Sequence, residues 1–149
     1  MKRAIYALLI LLASCSSDPA APDCPTTILP DLAAPAMKIT QVDDHHFFVV
    51  TDISNLSVGK CADKSAPTFA TIKVYYGPDA TVNEANALVE EKTFSISELK
   101  GTETRKVEWP VNFQELGHYL FVFTIDYQNV VEEANENNNT IRRSHWKQF

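Results

Sequence analysis

The stretch Tyr119-Leu120-Phe121-Val122-Phe123-Thr124-Ile125-Asp126-Tyr127 decides the fold class. In an extended chain successive side chains point to opposite faces. Tyr119, Phe121, Phe123, Ile125 and Tyr127 then share one face, and Leu120, Val122, Thr124 and Asp126 the other. Bulky aromatic and β-branched residues at this period predict a strand lying against a core.

Working outward, residues 69–76 repeat the pattern, with Ala70, Ile72, Val74 and Tyr76 against Thr71, Lys73 and Tyr75. Further strands are expected at 38–42, 46–55, 88–95, 104–111 and 140–146, about seven in all. Gly77-Pro78-Asp79 and other turn signals separate them. Trp109 is expected to pack between layers. Residues 83–91 hint at one or two helical turns, although a strand with a polar loop fits them equally. This spacing of strands and turns predicts an all-β sandwich.

The chain has 149 residues, 45% of them hydrophobic and 21% charged, so one domain with a true core is expected. Thirteen basic against nineteen acidic residues give a formal charge of -6. Nucleic-acid binding depends on clustered cationic side chains, and that balance argues against it.

The N-terminus carries a different signal. Lys2 and Arg3 precede an apolar run over residues 4–13, too short for a permanent bilayer span, which takes ~20 apolar residues. This reads as a cleavable export signal over residues 1–14. Its end, Leu12-Ala13-Ser14-Cys15, resembles the bacterial lipobox, which implies lipid attachment to Cys15 and a membrane anchor without a protein span. Ser follows the cysteine where an Asp would signal inner-membrane retention, so an outer-membrane location is expected if the cell is Gram-negative. Residues 15–36 hold five prolines and read as an extended spacer, and the domain is expected to occupy 37–149. Cys24 and Cys61 are the remaining thiols, and an oxidising compartment favours a bridge between them. Two free thiols are the alternative.

The run Asp126-Tyr-Gln-Asn129-Val-Val131-Glu-Glu133-Ala-Asn-Glu136-Asn-Asn138-Asn139-Thr140 resembles, without a gap, the closing signature of the cell-adhesion-related domain found in bacteria, CARDB. Ile53-Ser54-Asn55 and Gly117-His118-Tyr119 agree more loosely. The resemblance spans roughly residues 37–146. It implies an immunoglobulin- or fibronectin-III-like sandwich that serves as a binding or spacer module outside the cell.

Two readings of the acidic run stand side by side. In one, Asp, Asn and Glu side chains bond nearby backbone groups and hold an irregular connection, with Val131 plugging the core. In the other, Asp126, Glu133, Glu136 and Asn138 offer hard oxygen ligands to calcium, the one cofactor the sequence suggests. Enzyme signals are poor. Adjacent His45 and His46 point to opposite faces of a strand and cannot easily share an ion, His118 and His145 are isolated, and no nucleophile elbow or phosphate loop is present. The expected function is therefore recognition of a protein or glycan, with Tyr75, Trp146 and Phe149 as candidate contacts. A structural or assembly lipoprotein is the alternative.

Overall fold

A computed structural model describes residues 28–58 and 64–148. Cys15, Cys24, Cys61 and Phe149 lie outside the described residues, and with them the lipidation, disulfide and C-terminal aromatic expectations. Seven antiparallel strands follow one another: β1 (Leu32–Gln41), β2 (His46–Asn55), β3 (Thr68–Gly77), β4 (Ala87–Ile96), β5 (Thr104–Asn112), β6 (Gly117–Ile125) and β7 (Thr140–Lys147). They form two sheets, ordered β1-β2-β5 and β4-β3-β6-β7. The fourth strand thus sits beside the third, unlike the constant-type immunoglobulin arrangement in which it joins the first, second and fifth.

Alternation builds the core as expected. Phe47, Val49 and Ile53 from β2, Ala70, Ile72 and Val74 from β3, and Phe121, Phe123 and Ile125 from β6 are fully buried. Trp109 of β5 lies between the layers, with ring centroids 6.3 Å from Phe123 and 5.6 Å from Phe94. Val131 closes one end of this core.

Two expectations are corrected. The domain begins before Met37: β1 starts at Leu32, which is fully buried. Proline there is compatible with an edge strand, and the chain accommodates Pro35 with a register shift between Ala33 and Ala36. β6 stops at Ile125, because Asp126 takes a left-handed φ of 47° and turns the chain; Tyr127 is exposed and leaves the buried face. Of the two readings of residues 83–91, the strand with a polar loop is the one that forms. Residues 78–86 make a strap that turns at Asn83, whose carbonyl accepts from the Asn86 amide at 3.0 Å, and β4 follows.

That strap lies on the outer face of the four-stranded sheet. Val82 packs onto Tyr75, Leu120 and Val122, and Glu84 accepts from Arg142 Nε at 2.8 Å. Tyr75, expected to be a contact residue, is consequently only 9% exposed.

Candidate functional site

The strand connections gather at two ends of the sandwich, and each end buries charge of one sign.

At the first end, the loop over residues 126–139 meets the start of β1. Asp126 is buried and accepts at Oδ1 from the Thr68 hydroxyl (2.5 Å) and the Val130 amide (3.1 Å), and at Oδ2 from the Val131 amide (2.9 Å). Asn129 takes a φ of 53°, a conformation that asparagine tolerates, and its amide closes the turn on the Asp126 carbonyl. Glu133, also buried, accepts from the Leu32 amide at 2.5 Å and from Asn139 Nδ2 at 2.9 Å. Glu136 accepts from the Glu133 amide, and Asn138 donates to Asp31. The Ala134 amide reaches the Pro30 carbonyl, so the segment leading into β1 is held from several sides. Asn55 extends the clamp: its Oδ1 accepts from the amides of Asp31 and Ser57, and its Nδ2 donates to Leu99.

Burial pushes the Glu133 carboxyl up to about 7; its two hydrogen bonds act against that shift, and the nearby Glu136 and Asp126 carboxylates add to it. Asp126, Glu133 and Glu136 thus accept from protein donors, whereas Asn138 donates through Nδ2 and its buried Oδ1 has no hydrogen-bond partner. Among the described residues, no group of three or more His, Cys, Asp or Glu is placed to hold a metal ion. The hydrogen bonds that Asp126, Glu133 and Glu136 accept from backbone amides are those that the structural reading expects.

At the second end, Lys147 is buried to 1% exposure. Its ammonium donates to the Phe113 carbonyl at 2.5 Å and the Gln114 carbonyl at 3.1 Å, and lies 3.2 Å from His45 Nδ1. A cleft of about 320 Å³ opens beside it, lined by Asp44, His45, Glu115, Leu116 and Gln148 among others. Tyr119, at the start of β6, stacks on Phe113 at 4.1 Å and donates to the Glu115 carbonyl four residues upstream, the tyrosine corner of sandwich folds. Burial and the neighbouring Tyr76 and Glu115 push its hydroxyl up to about 12. Gly117, at φ 145°, admits no side chain, since a Cβ would lie 2.8 Å from Tyr76 Cε2.

The histidines follow the structural expectation. Asp43 Oδ1 accepts from the amides of His45 and His46 and so shapes the β1-β2 turn, and these bonds hold its carboxyl down to about 2. His45 faces Lys147 whereas His46 pairs with Asp43 at the surface. His145 packs edge-on against Phe47, and burial lowers its pKa.

Of the candidate contacts, Trp146 is 59% exposed. It stands opposite His118 in the β6-β7 register, and the two rings stack at 5.5 Å with planes 10° apart. The residue that sequence reading missed is Lys147. A lysine in a polar C-terminal stretch carries no signal of burial, because the carbonyls that surround it come from a different connection.

The CARDB family model matches residues 79–143. Among solved structures, a CARDB domain from Pyrococcus furiosus, crystallised in complex with di-metal ions, is 22% identical with a TM-score of 0.56, covering 81% of this chain and 96% of that one. A domain from a Methanosarcina acetivorans chain described as a cell surface protein is 17% identical with a TM-score of 0.56, covering 81% and 94%. β-Glucosidase 3B from Thermotoga neapolitana is 9% identical with a TM-score of 0.50, and the match covers 78% of this chain but 16% of the enzyme. No curated protein sequence matches. The sandwich of this chain is thus similar in fold to CARDB domains, and the family match covers 65 of its 149 residues.

Proposed function

We propose that the chain is a lipid-anchored, extracytoplasmic binding module that recognises a protein or glycan partner and works without catalysis. The observation that carries the reading is the Trp146–His118 pair, two stacked rings on neighbouring strands with Trp146 open to solvent. Exposed Trp is favoured in recognition because it offers much contact area for little conformational entropy. The cell-surface description of the Methanosarcina acetivorans neighbour supports an extracytoplasmic location, and the Leu12-Ala13-Ser14-Cys15 run supports anchoring through Cys15, with the outer membrane as the site in a Gram-negative cell.

The test has two parts. Radiolabelled palmitate fed to expressing cells labels the chain, and Cys15→Ser abolishes the label; equal labelling of both chains overturns the anchor. For binding, the chain is applied to arrays of envelope glycans and extended peptides beside Trp146→Ala. At least tenfold lower capture by the variant is expected, and equal capture, or none by either chain, overturns the binding reading.

A further inference from the structure

We propose that the free edge of β7, over residues 142–146, receives an extended acidic peptide segment of a partner protein by strand addition. This rests on the binding-module reading above and names the partner class.

Four strands lie at sheet edges: β1, β5, β4 and β7. Unpaired edges invite strand pairing, and proteins block them with proline, bulges or charge. β1 carries Pro35 and a register shift. β4 carries an extra residue, Val89, where its register with β3 shifts. In β5 the Phe113 amide bonds the His45 carbonyl, which makes odd-numbered β5 residues the hydrogen-bonded ones and turns Pro110 outward, where its missing N–H blocks the free edge. β7 has neither proline nor bulge, its register with β6 running unbroken from Thr140 to Lys147, and carries charge alone.

The same parity argument locates the open groups. The Ile125 amide donates to the Asn139 carbonyl at 2.9 Å, so that pair is hydrogen-bonded and every second pair after it is as well. Ile141, Arg143 and His145 therefore bond to β6, whereas Arg142, Ser144 and Trp146 direct their N–H and C=O groups away from it. β1 approaches the beginning of β7, where the Ala34 amide reaches the Asn138 carbonyl. Beyond that point Arg142, Arg143, Ser144 and Trp146 are exposed.

Charge selects the occupant. The chain has a formal charge of -6, yet this edge carries two consecutive arginines; Arg142 pairs with Glu84 at 2.8 Å, and among the described residues Arg143 has no carboxylate partner. A second copy of β7 would set arginines against arginines. An acidic strand finds complementary charge at this edge and repulsion over much of the remaining surface. Main-chain hydrogen bonds supply affinity in such additions, and alternate side chains supply selectivity.

The experiment titrates the nitrogen-15-labelled full-length chain with a blocked octapeptide of alternating Glu and Val, its Lys-Val counterpart, and a chito-oligosaccharide. The acidic peptide is expected to bind, to slow amide exchange at Arg142, Ser144 and Trp146 about tenfold or more, and to leave those of Ile141 and Arg143 unchanged. Ser144→Pro removes an outward donor without touching the β6 ladder, and Arg143→Glu reverses the charge; each is expected to weaken binding about tenfold. A circular-dichroism melt checks that each variant is folded, and Arg143→Glu decides the matter if Ser144→Pro is not. Equal binding of the two peptides, binding indifferent to both variants, or peptide protection outside β7 overturns strand addition. Saccharide binding alone, lost in Trp146→Ala, overturns the edge proposal but leaves the binding module standing, whereas no binding by any probe or on the arrays removes both.

Discussion

The two ends of the sandwich solve the same problem with opposite charges. At the end formed by residues 126–139 and the start of β1, the connections leave amide groups without strand partners, among them those of Leu32, Val130, Val131 and Glu133. The buried carboxylates of Asp126 and Glu133 and the exposed one of Glu136 accept from them. At the other end the surplus groups are the carbonyls of Phe113 and Gln114, and the buried ammonium of Lys147 donates to both. Buried backbone polar groups must be paired, so the sign of each buried side-chain charge follows the kind of backbone group left over. An acidic cluster read in this way is scaffold, and a lone basic residue can be its counterpart.

The largest expected effect breaks the acidic end. Asp126→Ala leaves three donors unmet and is expected to cost about 3 kcal/mol or more, roughly 10 °C in Tm, by denaturant and thermal unfolding. Asp126→Asn keeps one acceptor oxygen and should lose less. Equal stability of Asp126→Ala and the parent would remove the structural account of that loop.

The next effect depends on pH. Because the Glu133 carboxyl is raised to about 7 in the fold, against about 4.5 ordinarily, the native state holds this proton more tightly than the unfolded chain does. Its stabilising contribution is full below about pH 4.5 and is lost as pH rises through about 7, on the order of 2 to 3 kcal/mol. Urea unfolding at pH 5 and pH 8 measures it, and Glu133→Gln should flatten that slope. A slope unchanged by the substitution would assign the pH dependence elsewhere.

Lys147→Met sharpens the comparison from the other side. It takes the ammonium from the buried Phe113 carbonyl, which keeps only the His45 Nδ1 contact at 3.3 Å, and from the half-buried Gln114 carbonyl, and a loss of about 2 kcal/mol is expected in chemical denaturation. A neutral result would mean that the carbonyl end tolerates what the amide end does not. The smallest effect is expected at the exposed Glu84–Arg142 pair over the strap, where Glu84→Gln should change stability by under about 1 kcal/mol and still less at high salt.

Much of this architecture was legible from side-chain alternation. Residues 46–55 give β2 with the bounds expected, and the remaining strands were placed from their apolar faces. Alternation reports which side of a strand is buried, but not what else covers the other side. Tyr75 read as an outward residue and does point outward, yet the strap brings Val82 down on it. The start of β1 was hidden by proline-rich composition, which describes a tether and an edge strand equally well. Of the candidate contacts, Trp146 is exposed as its type and position suggested, whereas the parity that opens β7 outward required the ladder itself.

By itself the sequence determined the all-β class, the strand faces, the family signature at residues 126–140 and the core places of Trp109 and Val131, because each rests on local periodicity or a contiguous motif. Only the tertiary structure decided that Glu133 bonds Leu32, that Lys147 caps carbonyls from the β5-β6 connection, and that β7 is an edge without proline or bulge. Those contacts join residues distant along the chain, and no local pattern of side chains encodes which backbone groups the fold will leave for them to satisfy.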